Sequence, residues 1–366
     1  MSDDAPMFSA DDDDPLLLEI INGLLAEGKP EEEIDRHLQN VLPEAKAQAA
    51  AHLLDGLRAR VDEMFADRRH IRRGFLKRQR EKWGKPLVLL SMLIEAAREA
   101  GEEYNRSYQD VAAAQQDFVF DALRRLHARA CLVAGEVLTL MESGYPSGAM
   151  ARWRTLHEIA VVGRFLREQG KDVAEQYLLH HVVDTYKTAT DFQRHCRTIG
   201  YEPFSAEEIA RLQAERDKLC QRFGKEYKAQ WGWAVEALKP KQASFAEIEA
   251  AVSFDHHRPY FKLACHSNHA GSKGIQFDLG NALNPPGSDC LLAGPSDAGL
   301  LDPGTCTAVS ILQVTANLVL YRNAKLTALI VIESLNLLTD EILESFATAE
   351  AELAAKAETM RIQRPE

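Results

Sequence analysis

Five side chains have the types and spacing to do chemistry: four in one short segment, Arg152, Arg154, His157 and Glu158 within GYPSGAMARWRTLHEIAVVGRFLREQG, Gly144 to Gly170, and His269 far downstream. Arg154 and Glu158 are four apart, so on a helix their side chains meet. Arg152 and His157 are five apart, roughly 140° around a helix axis. That offset lets a guanidinium and an imidazole flank one pocket at a helix–helix seam. A histidine titrating near neutrality can move a proton, and an arginine can stabilise developing negative charge. Both sets also fit a plainer role. Arg154–Glu158 has the spacing of a surface ion pair, worth under about 1 kcal/mol, and His157 can be a satisfied structural histidine.

The element that must hold these groups is legible. Gly144-Tyr145-Pro146-Ser147 reads as a turn with Ser147 as a helix N-cap, and Gly170 reads as the stop. Leu156, Ile159, Gly163 and Leu166 step by three and four and define one buried stripe. Arg152 lies one turn earlier on that stripe, where an unpaired charge would be costly. A long helical pattern over 110–142 precedes it: Phe118, Ala122, Leu126, Ala130, Val133, Val137 and Leu140. The tight connection at 143–147 makes the two an antiparallel pair.

The 366 residues carry a formal net charge of -12. That balance argues against a general binder of double-stranded DNA, which needs many phosphate contacts. It leaves room for a local basic patch, and residues 68–85 supply one. Ten of these side chains are Lys, Arg or His against a single acid, Glu81, with Phe75 and Trp83 interleaved. Arg72, Arg73, Lys77 and Arg78 could hold RNA or an acidic protein surface. A solvated helix linking two units is the alternative.

Strand-like alternation is nearly absent. The expected fold is all-α, a multi-helix bundle with a small N-terminal helical unit. Its parts are an acidic disordered tail at 1–14, helices at 15–26, 30–41 and 43–65 in a unit spanning 15–67, and a basic connector with its own helix at 68–105. A main helical domain follows at 106–361. Within it the spacing predicts one helix over 173–199, a Ser205/Glu208 capping box, a helical turn or two at 244–252 and final helices at 304–336 and 339–361. Residues 279–304 read as a Gly/Pro-rich loop insertion.

The six cysteines form no CxxC, so neither a zinc ribbon nor a redox pair is signalled. Scattered thiols fit a reducing cytosol, and the acidic start is unlike a leader peptide. The uncharged stretch 303–321 is diluted by Gly, Thr, Ser, Gln and Asn, so it reads as a buried helix, with no membrane partner expected. His256, His257, His266 and His269 with Glu158 or Asp184 are a conceivable zinc or iron set. Paired Glu-x-x-His units are missing, and no metal or other cofactor is assigned. The phosphate-binding and dinucleotide-binding glycine motifs are absent, as is the serine hydrolase elbow.

The GYPSGAMARWRTLHE segment followed by YFKLACHSNHAGS resembles the bacterial DUF5677 family over about 110–335. Arg154, Leu156 and Glu158, then Tyr260, Ser267 and His269, occupy its motif positions, with His266 beside them. That family name supplies no activity. Arg152 to His157 also resembles the R–x4–H motif of HEPN-type helical ribonucleases. The resemblance implies a cytoplasmic bacterial, metal-independent ribonuclease of a defence or toxin type, acting as a homodimer, with Arg152 and His157 as the active pair. His269 or His266 would be the second acid, and 68–85 would hold RNA. The competing expectation is a non-catalytic helical interaction or ligand-sensing module, in which a buried Arg/Glu/His network fixes helix register.

Overall fold

The computed structural model describes residues 21–23, 25–28, 30–239, 243–284, 291–322 and 325–362. Among these residues there are thirteen α-helices and no strand, so the fold is all-α. No described helix is long and apolar enough to cross a membrane. The expected tail at 1–14 lies outside the described residues. The chain divides into two compact units, 1–74 and 75–366.

The first unit contains α1, Glu31–Ala59, and the beginning of α2, Val61–Gln115. Pro43 was expected to separate two helices, yet α1 runs through it. The helix expected over 43–65 is instead split at Arg60 between α1 and α2, and α2 is continuous through 68–105, where a connector and its own helix were expected. The basic run is part of this one helix. From Phe75 onward it belongs to the second unit, and Phe75, Gln79 and Trp83 are buried there.

The second unit is built on α3, Phe118–Glu142, and α4, Pro146–Gln169, the antiparallel pair joined by the short Gly144 turn. The long pattern over 110–142 is in fact cut at Gln116-Asp117. Gln116 takes φ 49°, and the Asp117 N–H reaches back to the Ala112 carbonyl. That is a left-handed helix stop made by a residue other than glycine. The Asp117 carboxylate then caps α3 by accepting from the Phe120 N–H at 3.1 Å.

Helix α4 is buried on most of its circumference, more widely than the single expected stripe. Leu156, Ile159 and Leu166 face the core, and so do Trp153, Ala160, Val161, Val162 and Phe165. A helix apolar nearly all round needs neighbours on several sides. Its neighbours include α3, α9 (Phe245–Ala251), α10 (Arg258–Asn268) and α12 (Leu301–Val319). The Trp153 indole N–H donates to the Cys306 carbonyl and the Ser310 hydroxyl of α12, both at 3.0 Å. Arg167 donates to the Leu320 carbonyl at 2.7 Å, closing the C-terminal end of α12.

Between these elements, α5 (Lys171–Leu179) and α6 (His181–His195) replace the single helix expected over 173–199. The break is at His180, whose buried ring meets the Tyr227 and Ala229 carbonyls. Helix α7, Ala206–Phe223, opens on the expected Ser205/Glu208 capping box. Helix α8 is the short Val235–Leu238, and α11 is Ser272–Gln276. Helix α13, Leu326–Ile362, packs on α12. The last break thus falls near 320–325, where Tyr104 bonds both backbone groups of Arg322, and not near 337.

Candidate functional site

Helix α4 carries His157 into a closed space between α9 and α10. Its Nε2 lies 2.8 Å from Glu249 Oε1, and the two side chains are 1% and 0% exposed. Arg258 of α10 places Nη1 3.0 Å from the other carboxylate oxygen, Oε2. Trp153, Phe245, Phe261 and His257 surround the imidazole with ring centres 5.3 to 6.1 Å away. Burial pushes the His157 pKa down to about 4, with Arg258 and His256 adding in the same direction. Burial also raises the Glu249 carboxyl against the pull of Arg258. The arrangement is an Arg258–Glu249 ion pair to which a neutral His157 donates through Nε2–H.

The residues expected to share one site are not all brought together. Arg152 leaves the seam that holds His157 and instead pairs with Glu136 of α3. The five-residue spacing put the two groups on different sides of α4, where different neighbours claim them. Arg154 and Glu158 do form the expected pair, at 2.9 Å and partly covered. Arg154 also lies over the Phe261 ring at 4.9 Å, and burial raises the Glu158 carboxyl. His269 is the C-cap of α10 and is exposed, as is Ser267. Tyr260 is 41% exposed and His266 is half-buried. No hydrogen bond or ion pair joins His269 or His266 to α4 among the described residues. Arg72, Arg73, Lys77 and Arg78 are exposed on α2. Ser147 is not the N-cap of α4: Tyr145 takes that position, and the Ser147 hydroxyl accepts from the Leu279 N–H at 3.1 Å.

Glu249 and Arg258 were missed. The signal for Glu249 was present, because Phe245, Ile248, Glu249 and Val252 share one helical face. A carboxylate on such a stripe demands a buried cation. Among the described residues no group of three His, Cys, Asp or Glu side chains is placed to hold a metal ion.

A second feature is open. A groove of about 1200 Å³ runs between α2 and α3. Ile94, Ala128, Cys131, Leu132 and Gly135 contribute apolar lining, and Arg98, Arg124 and Arg152 contribute charge. Each guanidinium is tied to carboxylates: Arg98 to Glu95 and Glu102, Arg124 to Asp121, Arg152 to Glu136. Below it, His127 packs under Gly101, where an added Cβ would overlap the ring. His127 Nε2 lies 3.2 Å from the Thr315 hydroxyl, which itself donates to the Ile311 carbonyl. Burial pushes the Cys131 thiol up to about 11, so it is no nucleophile at neutral pH.

Burial lowers His127 as well as His157 to about 4. Both lie below the unfolded value near 6.5, so the unfolded chain takes up their protons first as pH falls. The stability they contribute is complete above about pH 6.5 and disappears on the way down to 4, up to roughly 3 kcal/mol for each. Glu158 and Glu249, raised by burial, act in the opposite sense. The urea midpoint should drop from pH 7 to pH 5, and His127→Gln should flatten that slope. A variant slope equal to the wild-type slope would refute the assignment.

No curated protein and no solved structure matches the chain. The match to a family model starts at Phe120 in α3 and takes in the His157–Glu249–Arg258 network and His269, while α12 and α13 lie beyond it. It is narrower than the 110–335 expected. Residues 120–284 of this chain match DUF5677, a family of unknown function.

Proposed function

We propose that the chain is a helical binding module, with the groove between α2 and α3 as its ligand surface and the His157–Glu249–Arg258 network as an internal fastening. One observation carries the reading. The only histidine placed on α4 for catalysis is sealed from solvent, while an open, partly apolar groove with fixed charges lies on another face of the same unit. Binding sites are commonly concave and largely apolar, with a few oriented polar groups. The groove fits a ligand with an apolar body and charged ends, since its arginines and glutamates are already positioned.

The ribonuclease reading requires His157 to reach a 2′-hydroxyl and Arg152 to face the same phosphate. Neither requirement is supported by the side-chain placement. A role for Arg72, Arg73, Lys77 and Arg78 in holding RNA has only their exposure and charge behind it.

The test uses the apolar anion 1-anilinonaphthalene-8-sulfonate as probe. Gly135 lines the groove and has open space around it, so Gly135→Trp should fill the groove with little loss of stability. Saturable probe binding should fall about tenfold or more in that variant, with the melting temperature near wild type. Equal binding by both proteins would overturn the reading. RNA cleavage by the wild type that disappears in His157→Ala, with its circular dichroism intact, would overturn it in favour of the nuclease.

A further inference from the structure

Helix α13 is apolar on both sides of its first half. Leu335, Ile342 and Phe346 face the core. On the opposite side Leu326, Leu329, Ile330 and Leu337 are 72%, 49%, 56% and 63% exposed. Their spacing of three, four and seven places them on one stripe. A helix with two apolar faces is normally covered on both.

The stripe continues onto α2. Trp83 and Phe346 are in ring contact at 5.9 Å, and Lys85 Nζ lies 4.0 Å from Glu341 Oε1. Stepping up α2 from 83 to 85 thus means stepping down α13 from 346 to 341, so the helices run antiparallel there. Val88 follows Lys85 by three residues and Met92 by seven, while Leu337 precedes Glu341 by four. Val88 and Met92 are 68% and 51% exposed. They extend the α13 stripe into one patch of six large apolar side chains.

We propose that this patch is the interface of a homodimer, with α13 pairing antiparallel to α13 of a second copy. Two arguments favour a second copy over another partner. The first is charge. Lys325 stands at one end of the stripe and Glu341 at the other, 16 residues and about 24 Å along the helix. Antiparallel pairing that sets Leu329 against the partner's Leu337 also sets Lys325 against the partner's Glu341, twice by symmetry. The exposed Lys85–Glu341 contact is loose enough to share that carboxylate. The second is area. Six such side chains present on the order of 600 Å², near the roughly 800 Å² per partner of a stable interface and at the upper limit for a monomer. In this register Glu333 meets the partner's Glu333 on the symmetry axis, a like-charge contact that limits affinity.

Sedimentation velocity on the full chain tests the inference. The wild type should dimerise at or below ~100 µM, as expected for an interface of this size. Leu329→Asp/Leu337→Asp, at exposed positions, should weaken association more than about a hundredfold with circular dichroism unchanged. Lys325→Glu should weaken it about fivefold, and adding Glu341→Lys should restore it. Glu333→Gln should tighten it, which binding to a basic partner would not do. A wild type that stays monomeric throughout that range overturns the proposal and leaves the patch to a different protein. A dimer indifferent to Leu329→Asp/Leu337→Asp, or one that the charge exchange does not restore, overturns it equally.

Discussion

Glu249→Ala is expected to lower the stability of the second unit by about 3–5 kcal/mol, the usual cost of removing one partner of a buried ion pair. The loss comes from what is left behind. Glu249 is fully covered and engages His157 on one oxygen and Arg258 on the other. Its removal leaves the partly exposed Arg258 guanidinium and a buried imidazole N–H without their acceptor, beside a small void. Glu249→Gln keeps the volume but offers one acceptor and one N–H₂ to two donors, so it should recover only part. If the network fastens helices rather than performing chemistry, an apolar replacement of all three groups, His157→Leu with Glu249→Leu and Arg258→Met, should come within about 1–2 kcal/mol of wild type. Urea unfolding followed by circular dichroism reads each value. A Glu249→Ala loss below about 1 kcal/mol would show that the carboxylate is not held as described.

The Gly144 turn should be almost as sensitive. Gly144 has φ +81°, the left-handed region, where a non-glycine residue costs about 1–2 kcal/mol. An added Cβ would also come within 2.8 Å of Phe75 Cε1 and 2.9 Å of the Ser296 carbonyl oxygen. That carbonyl cannot retreat freely, because the Ser296 N–H donates to the Gly144 carbonyl at 2.9 Å. Overpacking of this kind adds about 1–3 kcal/mol. Gly144→Ala is therefore expected to cost about 2–5 kcal/mol. Gly144→Asn should recover some of the conformational part alone. Phe75→Leu in the Gly144→Ala background should relieve part of the steric part, a coupling that a double-mutant cycle would detect. An unchanged melting temperature in Gly144→Ala would contradict the turn geometry.

These two sites show where the sequence was readable. The turn, the α3–α4 pair and the Ser205/Glu208 cap follow from local rules: glycine at the turn, apolar steps of three and four, a serine three residues before a glutamate. The α2–α3 boundary was hidden because Gln116 adopts a left-handed conformation that its side chain does not advertise. Pro43 misled in the other direction, since α1 tolerates it. At the site, His157 was found but its partners were not. Glu249 and Arg258 are 92 and 101 positions away, and nothing local to α4 names them. Arg152 shared a spacing with His157 but not a surface, because Glu136 on α3 draws it elsewhere. The exposure of His269 depends on where α10 ends, a tertiary matter.

All four tryptophans, Trp83, Trp153, Trp231 and Trp233, fall within residues 75–366. Intrinsic indole emission is accordingly blind to the amino-terminal 74 residues, and a fluorescence melt will trace the larger body alone. Trp83 and Trp153 are fully enclosed, so opening that body should redden the spectrum. A far-ultraviolet signal that decays before the emission shifts would separate the smaller unit's own melting from it.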